Sequence, residues 1–335
     1  MAGMETLLLD PEAVEATATY PAVIDAVEAA FGAYARGDAI MPAKTYIDLP
    51  QYDGDFRAMP AYLHVGDWDA AGVKWVNAHP SNPDRHGLPS VIGTMIYSDP
   101  ETALPLAIMD GTTLTRLRTG AAAAVATRHL AVEGASSLGI VGAGAQAYTQ
   151  LEAVAAVRPI ETVVIADVDA DRQRAFVEAF EDRFDVRAGS IAEAAGCDVL
   201  STATPVESPI VPREALGEHT HVNAMGADAP GKHELDDEIL LDATLVIDDY
   251  DQCVHSGEIN VPWSAGTLSD ADLHGTLGEI VSGTLPGREP DTGLSVFDST
   301  GLAIQDVAAA HAAYERATEE GVGTGFELVD TDLTR

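Results

Sequence analysis

Between positions 17 and 38 the chain reads TATYPAVIDAVEAAFGAYARGD. Apolar residues fall at Val23, Ile24, Val27, Phe31 and Tyr34, with Pro21 near the start and Gly37 just past Arg36. That spacing predicts an amphipathic helix closed by a glycine. The rhythm then shortens. TYIDL, FRAMPAYL, GVKWVN and VIGTMIYSD are strand-like runs separated by Gly, Pro, Asn and Asp, and HPSNPDRHGLP between the last two reads as a loop. TLTRLRTGAAAAVATRHLA follows as a long helix of small residues, suited to close packing or to joining two domains.

From about Ser136 the pattern alternates between strand and helix. SLGIVG, TVVIAD, CDVLSTAT, HTHVNAMG, ATLVIDD and LSVFDST are apolar enough to be strands buried on both faces, and helical segments lie between several of them. Such alternation predicts an α/β fold with a Rossmann-type, doubly wound parallel sheet. The first third predicts a mixed α+β domain. A last helix begins in DSTGLAIQDVAAAHAAYERATEEG, and the tail VGTGFELVD is able to return to the first domain.

Length and composition narrow the class. The 335 residues suit two domains, and 46% hydrophobic content supplies ample core. No run approaches the roughly 18–20 apolar residues of a membrane span. The start, MAGMETLLLDPEAVEA, has no basic n-region or cleavage site, so no signal peptide is expected. Two cysteines, Cys197 and Cys253, fit a reducing compartment, and a cytoplasmic protein is expected.

Charge changes the picture more. The formal net charge is −36, spread along the whole chain, and lysine occurs only at positions 44, 74 and 232. Such a field repels nucleic acid and anionic lipid, so neither is an expected partner. Acid-rich, lysine-poor composition resembles that of proteins from extreme halophiles, because at molar salt screening shrinks to about 3 Å and self-repulsion fades. It also makes Lys74, in the middle of the apolar run Val73–Val76, an unusual residue to keep.

The chemistry starts at GIVGAGAQA. Gly142, Gly144 and Ala147 follow a strand and open a helix, which is the dinucleotide fingerprint with Ala in its permitted third place. Asp167 closes the next strand, where an acid holds the adenosine ribose diol. Asp169 follows it and Arg172 lies beyond, so a 2′-phosphate meets two carboxylates first, and NAD is expected rather than NADP. GADAPGK imitates a phosphate loop, but His233 stands where magnesium needs Ser or Thr. His219 and His221 lack an obvious third ligand, so no metal is expected. There is no Gly-x-Ser-x-Gly elbow. What remains is Lys44, Arg57, Lys74, Arg118 and Asp228, each readable as an ion pair, and together suited to a small anionic substrate undergoing hydride and proton transfer.

The ordered series MPAK, DFRAMPAY, GVKWVNAHP, LRTGAAAA, GAGAQA, NAMGADAPGK, GEIN and FDSTGLAIQD runs over nearly the whole chain. In it the sequence resembles the ornithine cyclodeaminase/mu-crystallin family, most closely its archaeal alanine dehydrogenase branch. The resemblance implies a homodimer. Residues 1–123 and 300–335 would form its substrate-binding and dimerisation domain, and 124–299 its NAD-binding domain. It implies that Lys74 donates and accepts protons at the substrate, that Asp228 is the second catalytic group, and that Lys44 and Arg118 hold the substrate carboxylate. Cofactor-facing positions are expected at Arg118 and Thr119, at Gly142, Gly144, Ala145 and Gln146, and at Asp167, Val168 and Asp169. Later strand ends add Thr202, Thr204, Met225 and Ser299.

One departure separates the branches. Cyclodeaminases carry a glutamate before their Met-Pro for the distal ammonium of ornithine, and here the corresponding residue is Arg57. A cation there disfavours ornithine and is able to clamp a carboxylate. The expected activity is therefore reversible NAD-dependent oxidative deamination of L-alanine to pyruvate and ammonia through an imine. The alternatives are a cyclodeaminase or ketimine reductase on the same scaffold, or a non-catalytic ligand-binding protein of the mu-crystallin kind.

Overall fold

The computed structural model describes residues 5–330. The chain divides into two compact units, one holding the residues up to Arg118 and those from Leu302 onward, the other Thr119–Gly301.

Unit 1 is built on an eight-stranded sheet. Its strands are β1 (Thr6–Leu9), β2 (Ala39–Ile40), β3 (Thr45–Leu49), β4 (Gly54–Val65), β5 (Trp68–Ala78), β6 (Val91–Ser98), β7 (Pro105–Asp110) and the C-terminal strand Thr324–Phe326. The order is Thr324–Phe326, β1, β7, β6, β5, β4, β2, with β3 also paired to β4. The long strands β4 to β7 form an antiparallel meander in which Met59 opposes Lys74 and Lys74 opposes Met95. The tail does return, pairing antiparallel with β1.

Two helices cover the face that carries Lys74. Tyr20–Arg36 buries Val23, Ile24, Val27 and Phe31, and Gly37 ends it at φ 82° in the left-handed region that glycine occupies without strain. Ala303–Glu320 buries a run of small residues, and this lets it lie close to the sheet. At Gly72 a Cβ would come within 3.2 Å of Val307 Cγ2 and 2.9 Å of Ile96 O, so the strand needs glycine there. The HPSNPDRHGLP segment is not all loop: Asn82–His86 form a short helix, with Pro83 in its first turn and Gly87 closing it at φ 65°.

Unit 2 contains β8 (Ser137–Val141), β9 (Thr162–Ala166), β10 (Asp185–Ala188), β11 (Val199–Thr202), β12 (His221–Ala224), β13 (Thr244–Ile247), β14 (Leu273–Thr276) and β15 (Ser295–Asp298). They form one sheet in the order β10-β9-β8-β11-β12-β15-β13-β14, with every pair parallel. Alternate residues of one strand enter different cores: Leu138 and Ile140 pack on one side of the sheet, Val141 on the other. That is the doubly wound arrangement, and strand order reverses beside β8, where such sheets bind ligands. Among the described residues no helix is long and apolar enough to cross a membrane.

Candidate active site

In unit 1 the register brings cations onto one face of the meander. Lys74 projects under the helix Ala303–Glu320, and its side chain is 1% exposed. Its Nζ donates to Asp306 Oδ1 at 2.7 Å. Arg118 Nε donates to the same oxygen at 3.0 Å, and its Nη1 donates to Gln305 Oε1 at 2.9 Å. Asp306 is fully buried, and its other oxygen, Oδ2, has no hydrogen-bond partner among the described residues, nor has Gln305 Nε2. Buried polar atoms without partners are rare, and these two remain available to a water or a polar ligand.

Burial is the main force on Lys74, favouring the neutral amine. Asp306 opposes it, while Arg118 and Lys44 add to it, and the ammonium pKa comes down to about 7. Lys44 and Arg118 are therefore both close enough to act on Lys74. Arg57 opposes Val76, two residues along β5 from Lys74, so Arg57 and Lys74 are diagonal neighbours on the same face. Arg57 is paired with Asp55 through both Nε and Nη2 at 2.8 Å and lies over the Tyr46 ring.

In unit 2 the glycine loop has the geometry a dinucleotide needs. Gly142 has φ 101°, and a Cβ there would meet Ala203 O at 2.6 Å. Gly144 caps the helix Ala145–Ala155, and a Cβ on it would meet no protein atom within 4 Å. Chain packing alone does not call for glycine at that position, whereas close approach of a pyrophosphate to the helix N-terminus does. Ala145 and Gln146 form the helix's first turn. Asp167 Oδ2 accepts from Ala143 N at 2.6 Å and Oδ1 from Asp169 N at 2.8 Å, so the carboxylate expected at the ribose braces the loop. Val168 is fully exposed beside it. Asp169 caps the next helix, and Arg172 sits 3.5 Å from it.

Three of the remaining candidates, Thr202, Thr204 and Ser299, turn toward carboxylates that the sequence did not single out. Thr202 Oγ1 donates to Glu234 Oε2 at 2.7 Å, and Thr204 donates to Oε1 through both N and Oγ1 at 2.7 and 2.6 Å. Ser299 Oγ donates to Asp248 Oδ2 at 2.9 Å. Thr119 and Met225 are held through their backbones, Thr119 O accepting from Gln150 Nε2 and Met225 N donating to Thr202 O. Asp228 Oδ1 accepts from Lys232 Nζ at 2.5 Å. Glu234, Glu258, Asp248 and Asp298 are all buried. Burial raises the Glu234 carboxyl, and burial together with the nearby Glu234 charge raises Glu258 well above the usual range. Asp298 is pushed up to about 7, chiefly by burial.

The imitation phosphate loop has a structural explanation. Lys232 N donates to Ala229 O across Pro230 and Gly231, and Gly231 has φ 89°, as a proline–glycine type II turn requires. Gly226 N donates to Glu234 Oε2 at 3.1 Å, and a Cβ on Gly226 would collide with that carboxylate. His221 is a core residue between Ser295 and Asn223, with its pKa lowered by burial to about 3.

The fold and glycine loop define an α/β protein of the Rossmann dinucleotide-binding class, joined to a second unit with a buried lysine–aspartate–arginine cluster. The sequence matches the ornithine cyclodeaminase/mu-crystallin family over residues 4–321, and the chain belongs to that family. It is 48% identical over 326 residues, 97% of this chain and 99% of the other, to alanine dehydrogenase of the archaeon Archaeoglobus fulgidus. A solved archaeal alanine dehydrogenase dimer with bound NAD superposes with a TM-score of 0.92 at 48% identity, covering 97% of this chain and 100% of that one. The Δ1-pyrroline-2-carboxylate reductase of Thermococcus litoralis, solved with NADH and L-proline, gives 0.91 at 37% identity, covering 95% and 99%.

Proposed function

We propose that the protein is an NAD-dependent L-alanine dehydrogenase, working reversibly between alanine and pyruvate plus ammonia. The observation that carries this reading is Lys74: a buried amine with a pKa near 7, held by Asp306 beside Arg118 and Lys44. A group poised at neutral pH serves equally as base and acid.

Gly142, Gly144 and Asp167 would hold NAD, which would supply the acceptor for the hydride that leaves the substrate Cα. Arg118 and Lys44 take the substrate carboxylate, and Asp306 keeps Lys74 and Arg118 in a fixed relation. Neutral Lys74 accepts a proton as water adds to the imine carbon, and the ammonium form returns one to the departing nitrogen. Asp228 is the second acid/base group. Arg57 and Asp55 neutralise one another, and Asp55 Oδ1 also accepts from Ala78 N, which leaves no open carboxylate at that position for a distal ammonium. A small uncharged side chain suits this setting better than ornithine.

The protein acts as a homodimer in this reading. One face of the unit 1 sheet carries the apolar row Leu8, Ile108, Ile96, Val73 and Pro60, with Trp75 and Ile47 nearby at 42% and 49% exposure. Leu8 is exposed and Pro60, Val73, Ile96 and Ile108 are only partly buried, and an apolar face of that kind is what a second copy would bury.

The second reading is reduction of a cyclic imine, which the similarity to the Thermococcus litoralis reductase favours. NADH consumption in molar KCl decides between them. Turnover with pyruvate plus ammonium supports the alanine reading, and turnover confined to Δ1-pyrroline-2-carboxylate replaces it. Proline formed from ornithine would restore the cyclodeaminase, and no turnover with any of these would leave only ligand binding.

A further inference from the structure

Three sequence segments that lie far apart, GADAPGKHE, GEIN and FDST, form one hydrogen-bonded assembly inside unit 2. Asp298, at the end of β15, accepts from Glu258 N at 2.8 Å and Ile259 N at 3.1 Å. This fixes the GEIN segment to the sheet. Glu258 Oε1 then accepts from Glu234 N and Leu235 N at 2.8 and 2.7 Å, and Glu234 in turn holds Gly226 N. Asn260 completes the frame. Its Oδ1 accepts from Gly231 N at 2.9 Å, and its Nδ2 donates to Lys232 O at 2.8 Å and Gly257 O at 2.6 Å.

The loop 226–232 is thus pinned at both ends, by Glu234 at Gly226 and by Asn260 at Gly231 and Lys232. Asp228 lies between the pins. Its carboxylate is tied to Lys232 Nζ, so the residue that Asn260 clamps by its backbone also orients the Asp228 side chain. Asn260 is 5% exposed, and all three of its contacts are local to this frame. A carboxamide suits the turn, which presents a donor and an acceptor side by side, because it carries an acceptor oxygen and a two-proton donor on separate atoms.

We infer that Asn260 is a positioning residue for Asp228, acting through the Pro230–Gly231 turn. The functional half of this inference rests on the reading of Asp228 as an acid/base group. The structural half does not. A misplaced catalytic group costs on the order of 10²-fold in rate for ~1 Å of displacement.

Two measurements on the full-length protein test it. Amide exchange by mass spectrometry should be faster by roughly an order of magnitude over 226–232 in Asn260→Ala, with β12 unchanged. Asn260→Asp keeps the acceptor for Gly231 N and should exchange at a rate between the two, which guards against misfolding of the alanine variant. Unchanged exchange in both variants overturns the clamp. In turnover, Asn260→Ala should lower kcat about 10²-fold and leave the KM for NADH within about twofold. In an Asp228→Asn background the same change should cost little more, since coupled residues are not additive. Losses that multiply would overturn action through Asp228, and wild-type turnover in Asp228→Asn alone would do the same. An inactive wild-type protein sinks the proposed reaction, while the exchange comparison still decides the clamp.

Discussion

Lys74 Nζ and Asp306 Oδ1 lie 2.7 Å apart although 232 positions separate them in the chain, and Arg118 Nε shares the same oxygen. One carboxylate therefore favours the charged form of the lysine against burial and fixes the direction of the arginine. Asp306 is the largest influence holding the Lys74 pKa up against burial. Replacing it with asparagine removes that support, so Lys74 should lose its proton at lower pH. Alanine oxidation needs the neutral amine, and its kcat/KM in wild type should rise with pH through about 7. In Asp306→Asn that rise should move to lower pH. A pH profile of kcat/KM checks this, and an unmoved limb would mean another group sets it.

Lys74 was legible in the sequence because lysine is scarce and this one interrupts an apolar strand. Asp306 was not. It lies early in the helix Ala303–Glu320, where small apolar neighbours make the pattern look like plain coverage of a sheet, and only tertiary docking reveals its partner. Glu234 and Glu258 were hidden for the same reason, since an acidic chain offers many carboxylates and no local cue to burial. The parallel sheet could be read because apolar residues lead in strands such as β8, β9 and β13 and helical segments alternate with them. The edge strand β10, Asp185–Ala188, is half polar and largely exposed, and it leaves no such trace.

The carboxylates expected at the cofactor ribose predict nucleotide preference. Asp167 is fixed by Ala143 N and Asp169 N, and Arg172 is drawn to Asp169 rather than standing alone. A 2′-phosphate would face both carboxylates, so NAD should exceed NADP by at least roughly tenfold in kcat/KM. Arg172→Ala should leave that ratio unchanged. Equal use of the two cofactors in wild type, with loss of NADP activity in the variant, would show instead that Arg172 swings to the phosphate.

Salt dependence follows from the charge. With 54 acidic against 18 basic residues, folding concentrates repulsion that the unfolded chain disperses. Screening should relieve it, and the melting temperature should climb from low salt to molar KCl. Potassium chloride avoids the stronger exclusion effects of sulfate, so a rise there reports charge screening more directly. A flat or falling melting temperature over that range would argue against adaptation to high salt.

The sharpest test concerns what Lys74 does. A lysine that merely packs its methylene stem beneath the helix Ala303–Glu320 is replaced by methionine with modest loss of turnover. A lysine that moves protons is not, and Lys74→Met should then lower kcat by about 10²–10⁴. Asp306 keeps Arg118 as a partner in that variant, which protects the fold from an isolated buried charge. NADH affinity should barely change, because the dinucleotide-loop residues belong to unit 2. Lys74→Arg separates charge from proton transfer. Arginine keeps the cation beside Asp306 yet does not deprotonate near neutral pH, so it should be nearly as inactive as methionine. Near-wild-type turnover in Lys74→Arg would make Lys74 a carboxylate clamp, and Asp228 would then take over the acid/base role.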